Sequence, residues 1–558
     1  MGPWLGVLIW LGLQAGAAAG AWRARQRGIP LRWGVRAVLG AILVTAAALR
    51  FWELGYYPDF IHHDHSIYGG NILRFRDGTW HPFFARVYSV GRPWLLLPAA
   101  VTWFTGPTPG ILRLTAALSG VLITWGVFHL GRALFSETTA LIAAWLAAVN
   151  HVLLLFSRQP YVLDPVAPFV LGFCAAVLGV QRASPGHWFL AGLGLGWALL
   201  GYWASLGYPA ILLACAAYAI LRCPSWLSQN RQGLAWCAVG LALSYGPLLI
   251  AGDAGPFWRA AGTHLFSDLG GGREHTVFDV SMWAHRLGWA FGLITTYGDV
   301  ASSWLVSTGQ PICLRYDMCL FGAGLVWVLY RRQAAVVLVI WVGVLLLGAA
   351  FLGPVFYHVL AAIPPIMLIC AAAFEPVSVW MAGVRSMLAR ALVVALIVMT
   401  CGAVGCAHLQ TLWQVVQRPT SPDGHTAYTG NINTVIALYV RAYPRHHYFF
   451  VRGPDPSGDL PPSSCLLDFF AADSRLDDLS TDLRSTLPEL PAPKPEAALA
   501  FVVFPSRETD ADALSAAYPT AQVVELWHLG GSVKVICVES REANRTERGD
   551  RCATAPEL

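Results

Sequence analysis

His62-His63-Asp64-His65 stands in the polar stretch 57–75, YPDFIHHDHSIYGGNILRF, directly behind the apolar run 34–51. Imidazole exchanges protons near neutrality and can hold a metal, and a carboxylate can take a proton from a hydroxyl. Ionisable groups at the edge of a membrane span cost desolvation energy when even partly buried, so such a cluster marks a functional site by default. Asp64 is the expected catalytic residue, a general base. It also suits the N-cap of a short helix beginning near His65, and the two roles are compatible. His62, His63 and His65 could hold a divalent metal ion only if the backbone bends to turn them toward one point; a solvated loop is the other reading.

The elements that must position this cluster are membrane helices. Apolar residues make up 56% of 558 positions and charged residues only 12%, whereas soluble domains carry about 25% charged residues. The net charge of +5 is small for the length, and the basic residues are scattered over short loops, which argues against nucleic-acid binding. Candidate spans lie near 3–21, 34–52, 110–131, 137–155, 164–181, 188–204, 205–221, 233–252, 316–330, 334–352, 355–374 and 388–406, about twelve helices of membrane length. Arg23, Arg25, Arg27, Arg32, Arg36, Arg132, Arg182, Arg222, Arg231, Arg331, Arg332, Arg385 and Arg390 all fall on one side of a strictly alternating topology, the cytoplasmic side by the positive-inside bias. The loops 57–91, 157–164 and 252–315, and everything after 406, then face outward.

Between them, 92–110 is apolar but broken by Pro93, Pro98, Pro107 and Pro109, which suits a short interfacial helix with Trp94 and Trp103 at headgroup level. From 410 onward the composition becomes that of a soluble α/β domain, with strands expected at 446–452, 497–505 and 523–539 and helices at 430–443 and 511–518. The expected organisation is a transmembrane domain over 1–409 with external loops 53–109 and 253–315, an extracytoplasmic domain over 410–540, and a disordered tail over 541–558. Of the twelve cysteines, Cys313 with Cys319, or Cys465 with Cys537, lie where a disulfide is permitted.

The sequences PDFIHHDHSIYGGNILRF, RPWLLLPAAVTWFTGPTPGILRLTAALSG and RALFSETTALIAAWLAAVNHVLLLFSRQPYVLDPVAPF, in that order, resemble the membrane glycosyltransferases of the GT-C type. The nearest resemblance is to bacterial relatives of protein O-mannosyltransferases and of the lipid A aminoarabinose transferase, over roughly 34–375. In that family an Asp-Glu pair follows an early span, and a later Ser-Arg…Asp segment begins another. Asp64 matches the first acid, Ser157-Arg158 and Asp164 match the later segment, and Tyr357-His358 with Pro364-Pro365 echo a late motif. His65 stands in place of the usual Glu, which leaves the second acid open. Asp59, Asp77 or a metal held by the histidines would compensate, and loss of activity is a further reading.

The resemblance implies a helical polytopic membrane protein of the bacterial inner membrane. It would move a sugar from a polyprenyl-phosphate carrier to an acceptor lipid, glycan or protein on the outer face, with Asp64 as base. Arg158 would receive the lipid phosphate, with Arg92, Arg86 and His358 as further contacts, and His65, Asp59 and Asp164 as supporting acids or ligands. The plainer readings are a snorkelling anchor for Arg158 and a helix-terminus role for Asp164. A transporter or a degenerate, purely structural relative are the competing classes. The spans are nearly free of acids, which disfavours the first, and a scaffold has no need of the Asp64, Arg158 and Asp164 set.

Overall fold

The computed structural model describes residues 9–16, 18, 32–55, 63–78, 92–201, 203–250, 280–296, 298, 309–331, 333–352, 356–417, 436–437, 439–443, 446–451, 474–479, 498–504, 507–528 and 531–538. Inside a bilayer a helix satisfies every backbone group within its own segment, and each apolar run picked out from the sequence falls on helix where it is described. In chain order these are α1 (Trp33–Phe51), α2 (His63–Arg76), α3 (Leu96–Thr105, entered by the 3-10 turn Arg92–Leu95), α4 (Pro109–Leu134), α5 (Glu137–Val149), α6 (His151–Phe156), α7 (Val166–Arg182), α8 (Pro185–Leu199) and α9 (Gly207–Arg222). There follow α10 (Trp226–Ile250), α11 (Val280–Thr295), α12 (Arg315–Arg331), α13 (Val336–Leu352), α14 (Phe356–Val359), α15 (Ile363–Ala372), α16 (Glu375–Gly383) and α17 (Met387–Gln417).

The chain is an integral membrane protein. Among the described residues, α1, α4, α10 and α17 are each long and apolar enough to cross a bilayer, and the pair Leu360–Ala372 and Glu375–Met381, bent by 41°, makes a fifth candidate. Five shorter apolar helices accompany them, so fewer helices meet the length test than the sequence expectation of about twelve spans. One cause is visible at Asn150, where an expected single span is divided: Asn150 ends α5, and its side chain then caps α6 by accepting from Leu153 N at 3.0 Å. The long outer loop expected over 253–315 also holds a helix, α11, which packs on α13 through buried Ala290, Leu293 and Ile294.

α4 is the central strut, packed against α1, α5 and α7, and α8 lies between α7 and α10. The α8–α10 contact is close because both faces carry glycine. A Cβ at Gly192 would stand 1.8 Å from Cys237 O, and one at Gly240 2.2 Å from Phe189 O. Such small-residue faces let membrane helices pack at backbone distance. α17 is peripheral, with only 6% of its apolar window buried. Trp145 on α5 fastens it by donating to Cys401 O at 2.9 Å.

Near the C-terminus a five-stranded sheet has the order β2-β1-β3-β5-β4, formed by β1 (His447–Val451), β2 (Arg475–Asp478), β3 (Leu499–Val503), β4 (Gln522–His528) and β5 (Gly531–Val538). β1 pairs in parallel with β2 and β3, and β5 runs antiparallel to β3 and β4. Phe449, Phe501 and Ile536 on one face pack with Leu514 of α18 (Glu508–Ala517). Cys537 is disulfide-bonded, and its other half lies outside the described residues. Cys313 is buried and Cys319 exposed, and both are free, so the alternative pairing of those two is not formed.

Candidate active site

The end of α1, where the chain departs toward Asp64, is held by three buried arginines. The C-terminus of a helix presents unsatisfied carbonyls and a negative pole, so cations belong there. Arg50 donates from Nη1 to Ala46 O and Ala148 O, from Nη2 to Ala147 O, and from Nε to Ser157 Oγ at 3.0 Å. Ser157 passes its own proton back to Leu153 O at 2.6 Å. Arg158 donates from Nη1 to Leu49 O and Arg50 O, and from Nη2 to Trp52 O and Glu53 O. Arg113, on α4, reaches Leu54 O at 2.9 Å. Gly120 of α4 leaves the room for this junction. A Cβ there would lie 2.2 Å from Ser157 Oγ and 2.3 Å from Arg50 Nε.

Arg158 therefore grips the backbone at and just beyond the end of α1, while Ser157 meets the Arg50 side chain. A guanidinium has five N–H donors, and four of those of Arg158 meet carbonyls. A bidentate phosphate contact by this fork would have to replace two of those bonds. Its charge persists. Burial lowers its pKa to about 10, opposed by the nearby Glu53 carboxylate, so it is cationic at neutral pH.

A second cluster lies beneath α2. Asp164, in the turn between α6 and α7, is fully buried and accepts from Thr115 Oγ1 at 3.0 Å and Ser119 Oγ at 3.4 Å. Burial pushes its pKa up to about 7, and the two hydroxyls only partly oppose this. Tyr68, buried on α2, lies in the field of Asp164. Burial, with the Asp164 charge second, holds its phenol well above the ordinary value. Tyr161, in the same turn as Asp164, has φ +60, a left-handed conformation that costs a non-glycine residue energy. Its ring stands 5.9 Å from that of Tyr68.

Helix α2 carries Asp64 in its first turn, since the helix begins at His63. Position 64 is thus inside the helix and not at its N-cap. Positions 64 and 68 are four apart and share a face, so position 64 stands one turn along the helix from Tyr68. Positions 63 and 65 lie about 200° apart around the axis of a helix with 3.6 residues per turn, and His62 lies outside the described residues. Among the described residues no group of three His, Cys, Asp or Glu side chains could hold a metal ion.

His62, Asp59 and Arg86 lie outside the described residues, and Arg92 opens the 3-10 turn before α3. Asp77 is exposed and ion-paired with Arg76 at 2.7 Å. His358 is buried on α14. Trp94 packs edge-on against Trp197 at 5.3 Å, while Trp103 is exposed. Sequence reasoning missed Arg50, Arg113, Thr115, Ser119 and Tyr68. A charge inside an otherwise apolar helix was the available signal for the first two.

A family model described as dolichyl-phosphate-mannose-protein mannosyltransferase matches residues 94–249. That segment holds the 3-10 turn's end, α3 to α10, and with them Arg113, Ser157, Arg158 and Asp164. The chain has the fold of the GT-C type membrane glycosyltransferases, and it resembles the aminoarabinose transferase ArnT and the protein O-mannosyltransferases. ArnT from Cupriavidus metallidurans in the apo state superposes with a TM-score of 0.54 at 13% identity, over 89% of this chain and 97% of that one. The same enzyme bound to undecaprenyl phosphate gives 0.51 at 12% identity, over 92% and 99%. The oligosaccharyltransferase AglB from Archaeoglobus fulgidus, in complex with an inhibitory peptide and a dolichol-phosphate, gives 0.50 at 14% identity, over 80% of this chain and 64% of that one. No curated protein matches the sequence.

Proposed function

We propose that the protein is a glycosyltransferase that moves a sugar from a polyprenyl-phosphate carrier to an acceptor lipid, glycan or protein at the outer face of a bacterial inner membrane. The observation that carries this reading is the placement of α2. It follows the arginine-held end of α1, presents position 64 in its first turn, and carries Tyr68 buried in the field of Asp164. Asp64 takes the proton of the acceptor hydroxyl as that oxygen attacks the anomeric carbon. The bond from that carbon to the phosphate oxygen breaks, and the carrier leaves as the polyprenyl phosphate. Attack opposite the leaving group inverts the anomeric centre.

Arg92 and Arg86 are proposed as donors to the departing phosphate, with His358 as a third contact. Arg158 acts through the end of α1 as a positioning residue and adds positive field. His65, Asp59 and the buried Asp164 are retained as supporting acids or ligands. The polyprenyl phosphate in the ArnT complex and the dolichol-phosphate and peptide in the AglB complex support a lipid-linked donor and a separate acceptor.

In the proposed organisation 1–409 is the transmembrane part with about twelve spans, 410–540 an extracytoplasmic domain built on the sheet, and 541–558 a tail. The arginine distribution supports this orientation, and so does the disulfide at Cys537, since such bonds persist in oxidising compartments. The test is an assay of Asp64→Asn in liposomes with a polyprenyl-phosphate sugar donor. Removal of a general base is expected to slow transfer by about 100-fold or more. Transfer at the parent's rate, or product of retained configuration, overturns the reading.

A further inference from the structure

A slot with a volume of about 280 Å³ runs between α4, α7 and α8, and its lining is almost wholly apolar. Its floor is Gly172 and Gly194, where the backbones of α7 and α8 touch. A Cβ on Gly194 would stand 2.6 Å from Pro168 O and 2.8 Å from Gly172 Cα. One wall is Trp125 and His129 of α4. These continue the helix face that bears Leu118 and Leu122, both exposed, so the slot opens toward lipid. An apolar cavity stays dry, and the fluid able to enter this one is hydrocarbon.

We propose that this slot binds one anionic phospholipid, with an acyl chain laid along α7 and α8 and the phosphate held by Arg182 and the N-terminus of α8. The length suits a chain. The lining runs from Pro168 to Leu178 on α7 and from His187 to Trp197 on α8. Ten residues of helix rise about 15 Å, which is half of the roughly 30 Å hydrocarbon core and so the depth of one leaflet. Trp197 closes the far end, packed on Trp94 and Trp10 at 5.3 Å each and donating to Gln14 Oε1 at 2.7 Å.

The near end is cationic. Positions 171, 175, 178 and 182 share one face of α7, so the exposed Arg182 stands one turn beyond Leu178, where the slot ends. Ala183 has φ +48 and turns the chain back at once, which sets the first turn of α8 beside Arg182. Ser184, the N-cap of α8, makes no side-chain bond to that turn, and the positive pole there suits an anion. The nearby Arg132 is paired with Glu137 at 3.2 Å. No acidic residue occurs between Asp164 and Asp253, so α7 to α10 carry nothing that repels a phosphate. The site shares no residue with the proposed sugar transfer.

The test is native mass spectrometry of the full chain in detergent, mixed with equal amounts of phosphatidylglycerol and phosphatidylcholine bearing the same chains. One phosphatidylglycerol per protein is expected to be retained, in preference to phosphatidylcholine by about 5-fold or more, the worth of one arginine against an anionic headgroup. Ala175→Phe fills the slot from α7 and Leu193→Trp fills it from α8. Each should abolish the adduct, and a melt in detergent identifies the variant that is folded. Arg182→Gln, at an exposed position, should keep a bound lipid and lose the preference for phosphatidylglycerol. Equal retention of the two lipids by the parent overturns the proposal. So does an adduct that persists in a folded, slot-filled variant, or a preference that survives in Arg182→Gln. Loss of sugar transfer in Asp64→Asn has no bearing on this result, so the lipid site and the proposed reaction fail separately.

Discussion

Arg50 and Ser157 are 107 positions apart, yet the Nε of one donates to the Oγ of the other at 3.0 Å. That single bond joins the helix before the candidate loop to the Ser-Arg pair after α6, and a notch at Gly120 makes room for it. Gly120→Ala is expected to force the two side chains apart and destabilise the protein by about 1–3 kcal/mol, as overpacking of a tight site does. A thermal melt in detergent checks this. A melting temperature equal to the parent's would mean that the junction tolerates a methyl group.

Arg158→Lys keeps a charge but loses the fork that holds four carbonyls at and just beyond the end of α1. If Arg158 positions α1, kcat for sugar transfer should fall by about 10-fold or more while KM for the lipid donor stays within about 2-fold. A rise in KM with kcat unchanged would return Arg158 to the role of phosphate ligand.

The carboxyl of Asp164 has its folded pKa raised from 3.8 to about 7. The folded state then holds a proton that the unfolded chain releases between those values, so stability falls as pH rises through that window. The full cost, present only above about pH 7, has a ceiling of about 4 kcal/mol. Melts between about pH 5 and pH 8 should show this decline in the parent and a flatter profile in Asp164→Asn. Equal slopes would show that the acid is ionised throughout.

Cys537 should be recovered in a disulfide-linked peptide after non-reducing digestion, and Cys465 is the expected partner. Reduction should loosen the sheet, since a bond closing a loop of this size is worth about 2–4 kcal/mol. Recovery of Cys537 as a free thiol from native membranes would count against an oxidising location.

Glu375, buried at the start of α16, accepts from Ser136 N, Ser136 Oγ and Thr139 Oγ1 at the cap of α5. Glu375→Ala leaves these donors buried, and a loss of about 1–3 kcal/mol is expected. Chemical denaturation checks it, and an unaltered midpoint would imply that water replaces the carboxylate.

The helices were legible because long apolar runs admit few other structures, β1 and β3 because their runs are almost wholly apolar, and β4 and β5 from the β-branched residues of 523–539. The strand β2 was not, since RLDD is mostly exposed and owes its conformation to pairing with β1. At the candidate site Asp64, Arg158 and Asp164 stood out as polar residues at the margins of spans. What Arg158 does was hidden because its partners are carbonyls, which every residue carries and no side chain announces. Arg50 was hidden for the same reason, and Tyr68 because an aromatic residue near a membrane surface reads as an interface anchor.

The Arg50 junction also bears on biogenesis. An arginine at the centre of a membrane segment costs about 2.5–3.5 kcal/mol on insertion scales and less near an end, where Arg50 stands and can snorkel, and its acceptors outside α1 all belong to residues 147–157. The ribosome must add roughly a hundred residues after Arg50 before those acceptors exist, so nascent α1 gains its buried partners only once α4, α5 and α6 arrive. Truncated translation intermediates ending before Ser157 should remain crosslinkable to the translocon, and longer ones should be released.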